Sequence, residues 1–241
     1  MNKVIFLFLA FLYSAQSLSL TPYKGNYELY AETVMGNLKI GTAILNLEVN
    51  DNQFEFTTEA STASVWKALY DYSRSEKSIG DEIDGQIINT SFRVIEKIKG
   101  EVKKNYEITI ETDKNYAVSS SGDEFEIKPG LLVDTLSVYL ALSNDMVNKP
   151  NESEFTYQVV DEVGVNYLQF KLDGSEKILI NGREIETMKV ICDELQLILN
   201  LSVEENFQPI KIHKINGKTA FTMTLIAVSY THLTLPTSDL V

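Results

Sequence analysis

Apolar and polar side chains alternate along most of this chain, and this period of two residues most constrains the fold. Ala43, Leu45 and Leu47 share one face of an extended segment, whereas Asn46 and Glu48 share the other face. The same alternation recurs in segments 106–111, 167–172 and 221–227. Because successive side chains of a β-strand point to opposite faces, the pattern predicts strands with one buried and one solvated face.

Turn-forming dipeptides separate these segments. Asp84-Gly85, Asp173-Gly174, Asn181-Gly182 and Asn216-Gly217 each interrupt a strand pattern. Asn-Gly and Asp-Gly adopt the positive φ angles of tight hairpin turns, so they predict antiparallel neighbours joined in sequence. We expect about ten to twelve strands from these signals. The chain shows no repeat of fixed period, which argues against a propeller or a solenoid.

The sequence predicts one substantial helix, over residues 131–144. Asp134 is placed to cap it, and Leu136, Tyr139 and Leu140 fall on one side at helical spacing. A shorter helical turn is expected over residues 63–69. These elements predict a mainly β protein, with a large curved antiparallel sheet or an open or half barrel and the helix packed on its concave side.

The first 19 residues have the pattern of a secretory signal peptide. Lys3 precedes an apolar stretch over residues 4–13, and small and polar residues follow up to Ser19. This stretch is shorter than the roughly 20 residues that a membrane-spanning helix needs. We therefore expect a cleaved signal, a periplasmic protein and no transmembrane segment in the mature chain.

Residues 20–228 are predicted to form a single β-rich domain. The strand pattern ends near Val228, and residues 229–241 continue neither the alternation nor the turn chemistry. We interpret 229–241 as a tail that is foreign to the native protein.

Composition excludes several classes of partner. The formal net charge is −13, and such a surface repels the phosphate backbone of nucleic acids. Cys192 is the single cysteine, so the chain forms no internal disulfide. Its alternation with Met188 and Val190 predicts a buried, unreactive thiol.

The sequence contains few residues arranged as in known catalytic motifs. His213 is the one histidine outside the expected tail, and we find no nucleophile elbow, phosphate loop or calcium loop. We therefore expect no metal, no cofactor and no enzymatic activity. Two groups of acidic residues flank glycines and have the composition of turns; they are Asp81, Glu82 and Asp84, and Asp123, Glu124 and Glu126.

Aromatic residues suggest a binding site instead. If the helix covers a curved sheet, an apolar groove can form between them. We expect Trp66, Tyr70, Leu136 and Tyr139 to line this groove, and Asp134 with Ser137 to hold the helix. A groove for a lipid, acyl chain or lipopeptide needs a continuous apolar cavity of at least ~300 Å³.

Five segments, in order and spacing, carry a family resemblance. They are residues 20–27, 41–45, 133–139, 184–190 and 207–212. Because of these five segments, residues 20–228 resemble the exported bacterial family catalogued as domain of unknown function 3108. The family usually has a tryptophan before the last segment, where this chain has Leu199 to Val203. The resemblance implies a periplasmic β protein without an established enzymatic activity.

Three functions remain open at this stage. The leading hypothesis is a non-enzymatic binding or envelope-maintenance protein with an apolar groove for a lipid or lipopeptide. A second is a structural interaction module of an envelope complex that uses a sheet edge or an exposed aromatic patch. A third is a carboxylate-dependent cell-wall or glycan hydrolase, which requires two acidic groups in one cleft.

Overall fold

The protein is mainly β, with one large curved sheet and one helix. The computed structural model describes residues 20–34, 36–111, 114–217 and 219–230. The strands are β1 Tyr23–Thr33, β2 Gly36–Asn50, β3 Gln53–Thr62, β4 Tyr72–Ile83, β5 Gln86–Ile98, β6 Glu101–Glu111, β7 Tyr116–Ser119, β8 Glu124–Glu126, β9 Leu132–Asp134, β10 Glu154–Val160, β11 Val165–Ile180, β12 Arg183–Cys192, β13 Leu197–Ser202, β14 Pro209–Asn216 and β15 Thr219–Tyr230. The helix α1 is Val138–Asn148. The predicted fold class is confirmed, with more strands than the ten to twelve expected.

All fifteen strands belong to one sheet whose order follows the sequence. From one edge the order runs β8 to β1, continues with β15, and descends to β9 at the other edge. Neighbours are antiparallel except β9 and β10, which are parallel. The hairpin turns at Asp84-Gly85 and Asn181-Gly182 have positive φ at both residues, as the sequence predicts for tight turns.

A buried polar contact holds the curled sheet together. The carboxylate Oδ2 of Asp134, at the end of edge strand β9, accepts hydrogen bonds of 2.5 Å from Ser78 Oγ on β4 and Asn89 Nδ2 on β5. All three side chains are buried. Because Ser78 and Asn89 lie on the core face, the edge strand β9 packs against the inside of the opposite half of the sheet.

The helix starts later than the sequence predicts. Residues 132–134 form β9, and α1 begins at Val138 rather than near Asp134. Asp134 Oδ1 accepts hydrogen bonds from the backbone N–H groups of Leu136 and Ser137, at 2.7 and 2.8 Å. Asp134 therefore stabilises the turn that leads into the helix, while the pairing of β9 with β10 removes residues 132–134 from it. The segment 63–69, expected as a helical turn, forms turns.

Hydrogen bonds fix α1 to both halves of the sheet. Asn144 Nδ2 donates to the carbonyl of Gly85 at 2.5 Å, and Ser143 Oγ donates to the carbonyl of Phe207 at 2.8 Å. The hydroxyl of Tyr157 on β10 donates to Asp145 at 2.8 Å. The helix therefore lies inside the curl and joins the turn between β4 and β5 to the loop after β13.

The core follows the period of two seen in the sequence. Alternate residues of each central strand point inward, and the largest side chains with almost no exposure include Tyr27, Phe54, Phe56, Phe92 and Phe170. Burying one such side chain contributes about 1.5–3 kcal/mol. Cys192 lies in the same core, and burial raises the pKa of its thiol to about 11. The thiol is therefore buried and protonated, as predicted.

The predicted ends of the domain fall partly outside the described residues. The expected signal peptide, residues 1–19, and residues 231–241 lie outside them. Strand β15 runs two residues past the predicted limit, because Ser229 pairs with Lys24 and Tyr230 pairs with Tyr23 on β1. Within the described residues, we find no helix long and apolar enough to cross a membrane.

Candidate functional site

One side of α1 forms a wall of an apolar cavity, which we call the helix cavity. The helix contributes Tyr139, Leu140, Ser143, Asn144 and Val147, which recur at the spacing of one helix face. The rest of the lining is Leu20, Thr21, Tyr23, Leu47, Glu205, Asn206, Gln208, Pro209 and Tyr230. The helix cavity lies where the first and last strands of the sheet meet, because Tyr23 pairs with both Leu47 and Tyr230.

The helix cavity is smaller than the groove expected from the sequence. Its volume is about 70 Å³, against the ~300 Å³ expected for a drug-sized or lipid ligand. Large side chains occupy the space between α1 and the sheet, with Tyr23 and Leu140 buried against Leu47. In this conformation the helix cavity therefore has room for one small apolar group rather than for a whole lipid.

Buried tyrosines surround the helix cavity on the sheet side. The hydroxyl of Tyr27 donates to the carbonyl of Pro209 at 2.7 Å, and the hydroxyl of Tyr230 lies 2.7 Å from the Glu205 carboxylate. Burial raises the pKa of Tyr23, Tyr27 and Tyr230 above the usual value for a phenol. These hydroxyls are therefore protonated at physiological pH, and those of Tyr27 and Tyr230 act as hydrogen-bond donors.

Gln208 supplies the polar group of most interest in this lining. Its side chain is 5% exposed, and its Oε1 lies 3.3 Å from the Tyr230 hydroxyl. Its Nε2 makes no hydrogen bond of normal geometry among the described residues, but the side chain interacts with the Tyr27 hydroxyl. The Nε2 atom is also closed to solvent, so a polar group of a ligand can reach it only if the surrounding side chains move.

The backbone at the start of the described chain closes one side of the helix cavity. The N–H of Leu20 donates to Glu82 Oε2 on β4 at 2.9 Å, and Leu20 itself lines the helix cavity. Glu82 belongs to an acidic group that the sequence assigns to turns. Its role here is to hold the start of the domain in place.

The structure does not bring the four predicted site residues together. Tyr139 lines the helix cavity, whereas Leu136 is 2% exposed in the core and is not part of the lining. Trp66 and Tyr70 lie near the other end of the strands. The indole of Trp66 donates to the carbonyl of Lys39, which is eight residues from Leu47 along β2, or roughly 26 Å in an extended strand.

The larger of the two clefts combines apolar residues, such as Ile44 and Ile95, with polar ones and lies on the outer face of β2 to β5. Its volume is about 340 Å³. Ser61, Ser73, Ser75 and Lys97 line it with Glu59, and these side chains are on the face opposite the core. This cleft is therefore not the apolar groove that the sequence predicts.

On the inner face, two carboxylates share a single arginine. Arg74 Nη2 lies 2.6 Å from Glu76 Oε1, and Nη1 lies 2.9 Å from Glu96 Oε2. The Tyr72 hydroxyl also donates to Glu96, at 3.1 Å. Both carboxylates are therefore engaged in ion pairs with the same guanidinium rather than directed together at a substrate. The described residues contain no group of His, Cys, Asp and Glu side chains that could hold a metal ion.

Sequence reasoning missed most of the residues that line the helix cavity. Tyr230 fell in the segment interpreted as a foreign tail, and Leu20 was treated only as the first residue of the mature chain. Gln208 sits directly before Pro209 in a loop, so no periodic pattern marked it. The Asn206-Phe207-Gln208 run before a proline was the available signal, since a loop that carries polar residues into a strand is a common place for binding groups.

The fold defines the class of this protein as β-barrel-like. One solved structure with this architecture is described as a β-barrel-like protein of domain of unknown function DUF1849 from Brucella abortus. It aligns with a TM-score of 0.60 at 10% sequence identity, over 89% of this chain and 99% of that chain. At this identity the likeness shows a shared fold alone.

Comparison at the sequence level assigns no family. No family model matches the chain. No curated protein matches it either. The resemblance to domain of unknown function 3108 therefore stays a prediction, while the fold is shared with a protein of another uncharacterised domain.

Proposed function

We propose that this chain is an exported, non-enzymatic binding protein of the bacterial envelope, which seats one apolar group of a lipid or lipopeptide in the helix cavity. The lining of the helix cavity carries the proposal, because it combines apolar walls with a few polar side chains, among them Ser143, Asn206 and Gln208. Binding sites for small ligands have this composition, with few polar groups set in an apolar pocket.

The apolar walls supply the affinity in this proposal. Each methylene that enters the cavity contributes about 0.8 kcal/mol through burial. At about 70 Å³ the helix cavity accepts the end of an acyl chain or one apolar side chain, and the rest of the ligand extends towards the loop that holds Glu205 and Asn206. A longer acyl segment requires α1 to shift away from β2.

The polar rim favours a lipopeptide over an anionic lipid. Glu205 accepts a hydrogen bond from Tyr230, and the whole chain carries a net charge of −13. A phosphate headgroup at this rim is repelled, whereas a peptide N–H or ammonium can donate to Glu205. A neutral or cationic acylated peptide therefore fits the rim best.

Export to the periplasm is part of the proposal and depends on the pattern of residues 1–19. In support of it, contacts with the sheet begin close to that pattern. The backbone N–H of Leu20 donates to Glu82, and β1 starts at Tyr23. The single cysteine means that such a domain folds without disulfides.

The two alternative functions have less support from the described residues. Both edge strands, β8 and β9, are three residues long, and the part of β6 that extends past β7 carries Glu101, Lys103 and Lys104, whose charges disfavour strand addition. Glu76 and Glu96 are both bound to the Arg74 guanidinium, which disfavours a carboxylate-dependent hydrolase at this pair.

Native mass spectrometry of the full chain purified from the periplasm tests the proposal. Wild-type protein should carry an acylated species that lipid extraction releases and identifies. Val147→Trp fills the helix cavity from α1 and should abolish this species. Val163→Trp is the matched control, because Val163 is 80% exposed in the turn between β10 and β11. A Val147→Trp protein that folds and still carries the ligand contradicts the proposed site.

A further inference from the structure

Two neighbouring loops form an exposed apolar surface far from the helix cavity. We call it the apolar tip, and it consists of Val34, Leu38, Val65, Leu69 and Tyr70. Val34 is fully exposed in the turn after β1, and Val65 and Leu69 are 76% and 73% exposed in the segment between β3 and β4. Scattered single apolar residues are common on surfaces, but an adjacent group of this kind marks an interaction site.

Hydrogen bonds brace the segment between β3 and β4 against β2, and a ring contact braces it against β4. Trp66 Nε1 donates to the carbonyl of Lys39 at 2.9 Å, where β3 no longer pairs with β2. The N–H of Ala63 donates to the carbonyl of Ile40 at 2.8 Å. The ring of Tyr70 stacks on Tyr72 with centroids 5.9 Å apart and planes 9° from parallel. These contacts fix the backbone of the segment between β3 and β4, on which Val65, Leu69 and Tyr70 are exposed.

The formal charge of the apolar tip differs from that of the protein. Segment 31–40 contains Glu32 and Lys39, and segment 60–71 contains Lys67 and Asp71, so the formal charges cancel in each segment. The whole chain has a net charge of −13. The strongly acidic character that keeps the protein away from anionic surfaces is thus absent at the apolar tip.

We propose that the apolar tip docks the protein on the interfacial region of a lipid bilayer. Neither of the two clefts described above includes a residue of the apolar tip, so its side chains offer no groove to a protein partner but can enter a lipid interface directly. Tyrosine and tryptophan favour the membrane–water interface, where the ring is buried and the polar group stays hydrated. Because the tip has no net formal charge, the expected surface is zwitterionic. This proposal stands independently of the helix cavity.

The single tryptophan allows a direct test on the full chain. Phosphatidylcholine vesicles should shift the Trp66 emission to shorter wavelength, and vesicles with brominated acyl chains should quench it. The double variant Val65→Asp with Leu69→Asp should lower the vesicle partition coefficient about tenfold or more, since two apolar side chains are replaced by charges. Both positions are exposed, so circular dichroism should show an unchanged fold.

Leu179→Asp is the matched control for this experiment. Leu179 is 68% exposed near the tip of the β11–β12 hairpin and lies outside the apolar tip, so the variant should bind vesicles like the wild type. Unchanged Trp66 emission with vesicles overturns the proposal. A blue shift that grows with protein concentration in the absence of lipid shows self-association and also overturns it. Val147→Trp should leave vesicle binding intact when binding is measured by co-sedimentation rather than by tryptophan emission, which separates this proposal from that of the helix cavity.

Discussion

The buried carboxylate of Asp134 should make stability depend on pH in a direction unusual for an aspartate. Burial raises the pKa of Asp134 from an ordinary 3.8 to about 6, although it accepts hydrogen bonds from Ser78, Asn89 and two backbone N–H groups. The folded chain therefore binds this proton more tightly than the unfolded chain. Its contribution to stability is greatest below pH 3.8, falls as the pH rises to about 6 and is constant above that.

The size of this effect follows from the two pKa values. A change from 3.8 to about 6 corresponds to roughly 3 kcal/mol in the free energy of unfolding. Surface carboxylates such as Glu28, whose pKa is lowered mainly by hydrogen bonding to Lys39, change stability in the opposite direction. The quantity to measure is therefore the difference in the free energy of unfolding between wild type and a variant. It is taken from urea unfolding at several pH values between 4 and 7.

Asp134→Asn is the suitable variant because it keeps most of the hydrogen bonds. Its Oδ1 still accepts from Leu136 and Ser137, and its new amide can donate to Asn89 Oδ1, which has no partner among the described residues, once the Asn89 amide rotates. The variant should gain stability relative to wild type as the pH rises from about 4 to about 6.

Asp161→Asn provides the control for the same substitution in a similar turn. Asp161 Oδ1 accepts the N–H groups of Val163 and Gly164 at 2.8 and 3.1 Å, but its side chain is only half-buried. This variant measures what an Asp→Asn change costs in such a turn when the side chain is only half-buried. If the Asp134→Asn and wild-type profiles are parallel, burial does not raise the pKa of Asp134 and the reasoning is refuted.

Three further outcomes are expected from the packing. Gly80→Ala should lower the melting temperature, because its Cβ would lie 2.2 Å from the carbonyl oxygen of Ile88; an unchanged melting temperature would show that the strand yields at little cost. The Cys192 thiol, whose pKa burial raises to about 11, should react with a thiol reagent at pH 8 only after unfolding, and fast labelling of folded protein would contradict its burial. Arg74→Met should lower the free energy of urea unfolding by about 1–3 kcal/mol, because it leaves the half-buried carboxylates of Glu76 and Glu96 without an ion pair. Arg183→Met, at an exposed ion pair, should lower it by under about 0.5 kcal/mol. Equal costs would argue against a stabilising role of the Arg74 ion pairs.

Sequence patterns predicted the strands well because alternation is a local property. The turns at Asp84-Gly85 and Asn181-Gly182 have their expected geometry, since their φ angles depend on adjacent residues. The start of the helix could not be predicted in this way. Residues 132–134 pair with β10, which lies about twenty residues later, and that pairing overrides a helical pattern.

The candidate site was harder to predict because its residues come from distant parts of the chain. Tyr139 was found from helical spacing, but Trp66 and Tyr70 were assigned to the same groove because they are aromatic. Their actual distance from it depends on strand register, which places Lys39 and Leu47 near opposite ends of β2. Composition alone carries no information about which end of a strand an aromatic side chain occupies.

The pairing of β1 with β15 has a consequence for biogenesis. The first and last described strands meet in the middle of the sheet, while its edges, β8 and β9, come from the middle of the chain. A polypeptide that emerges from its N-terminus therefore leaves β1 open on one side until the final strand arrives. The pairing of β1 with β15 must therefore form among the last events of synthesis or translocation. A factor that shields the unpaired edge of β1 until then would prevent premature association with other chains.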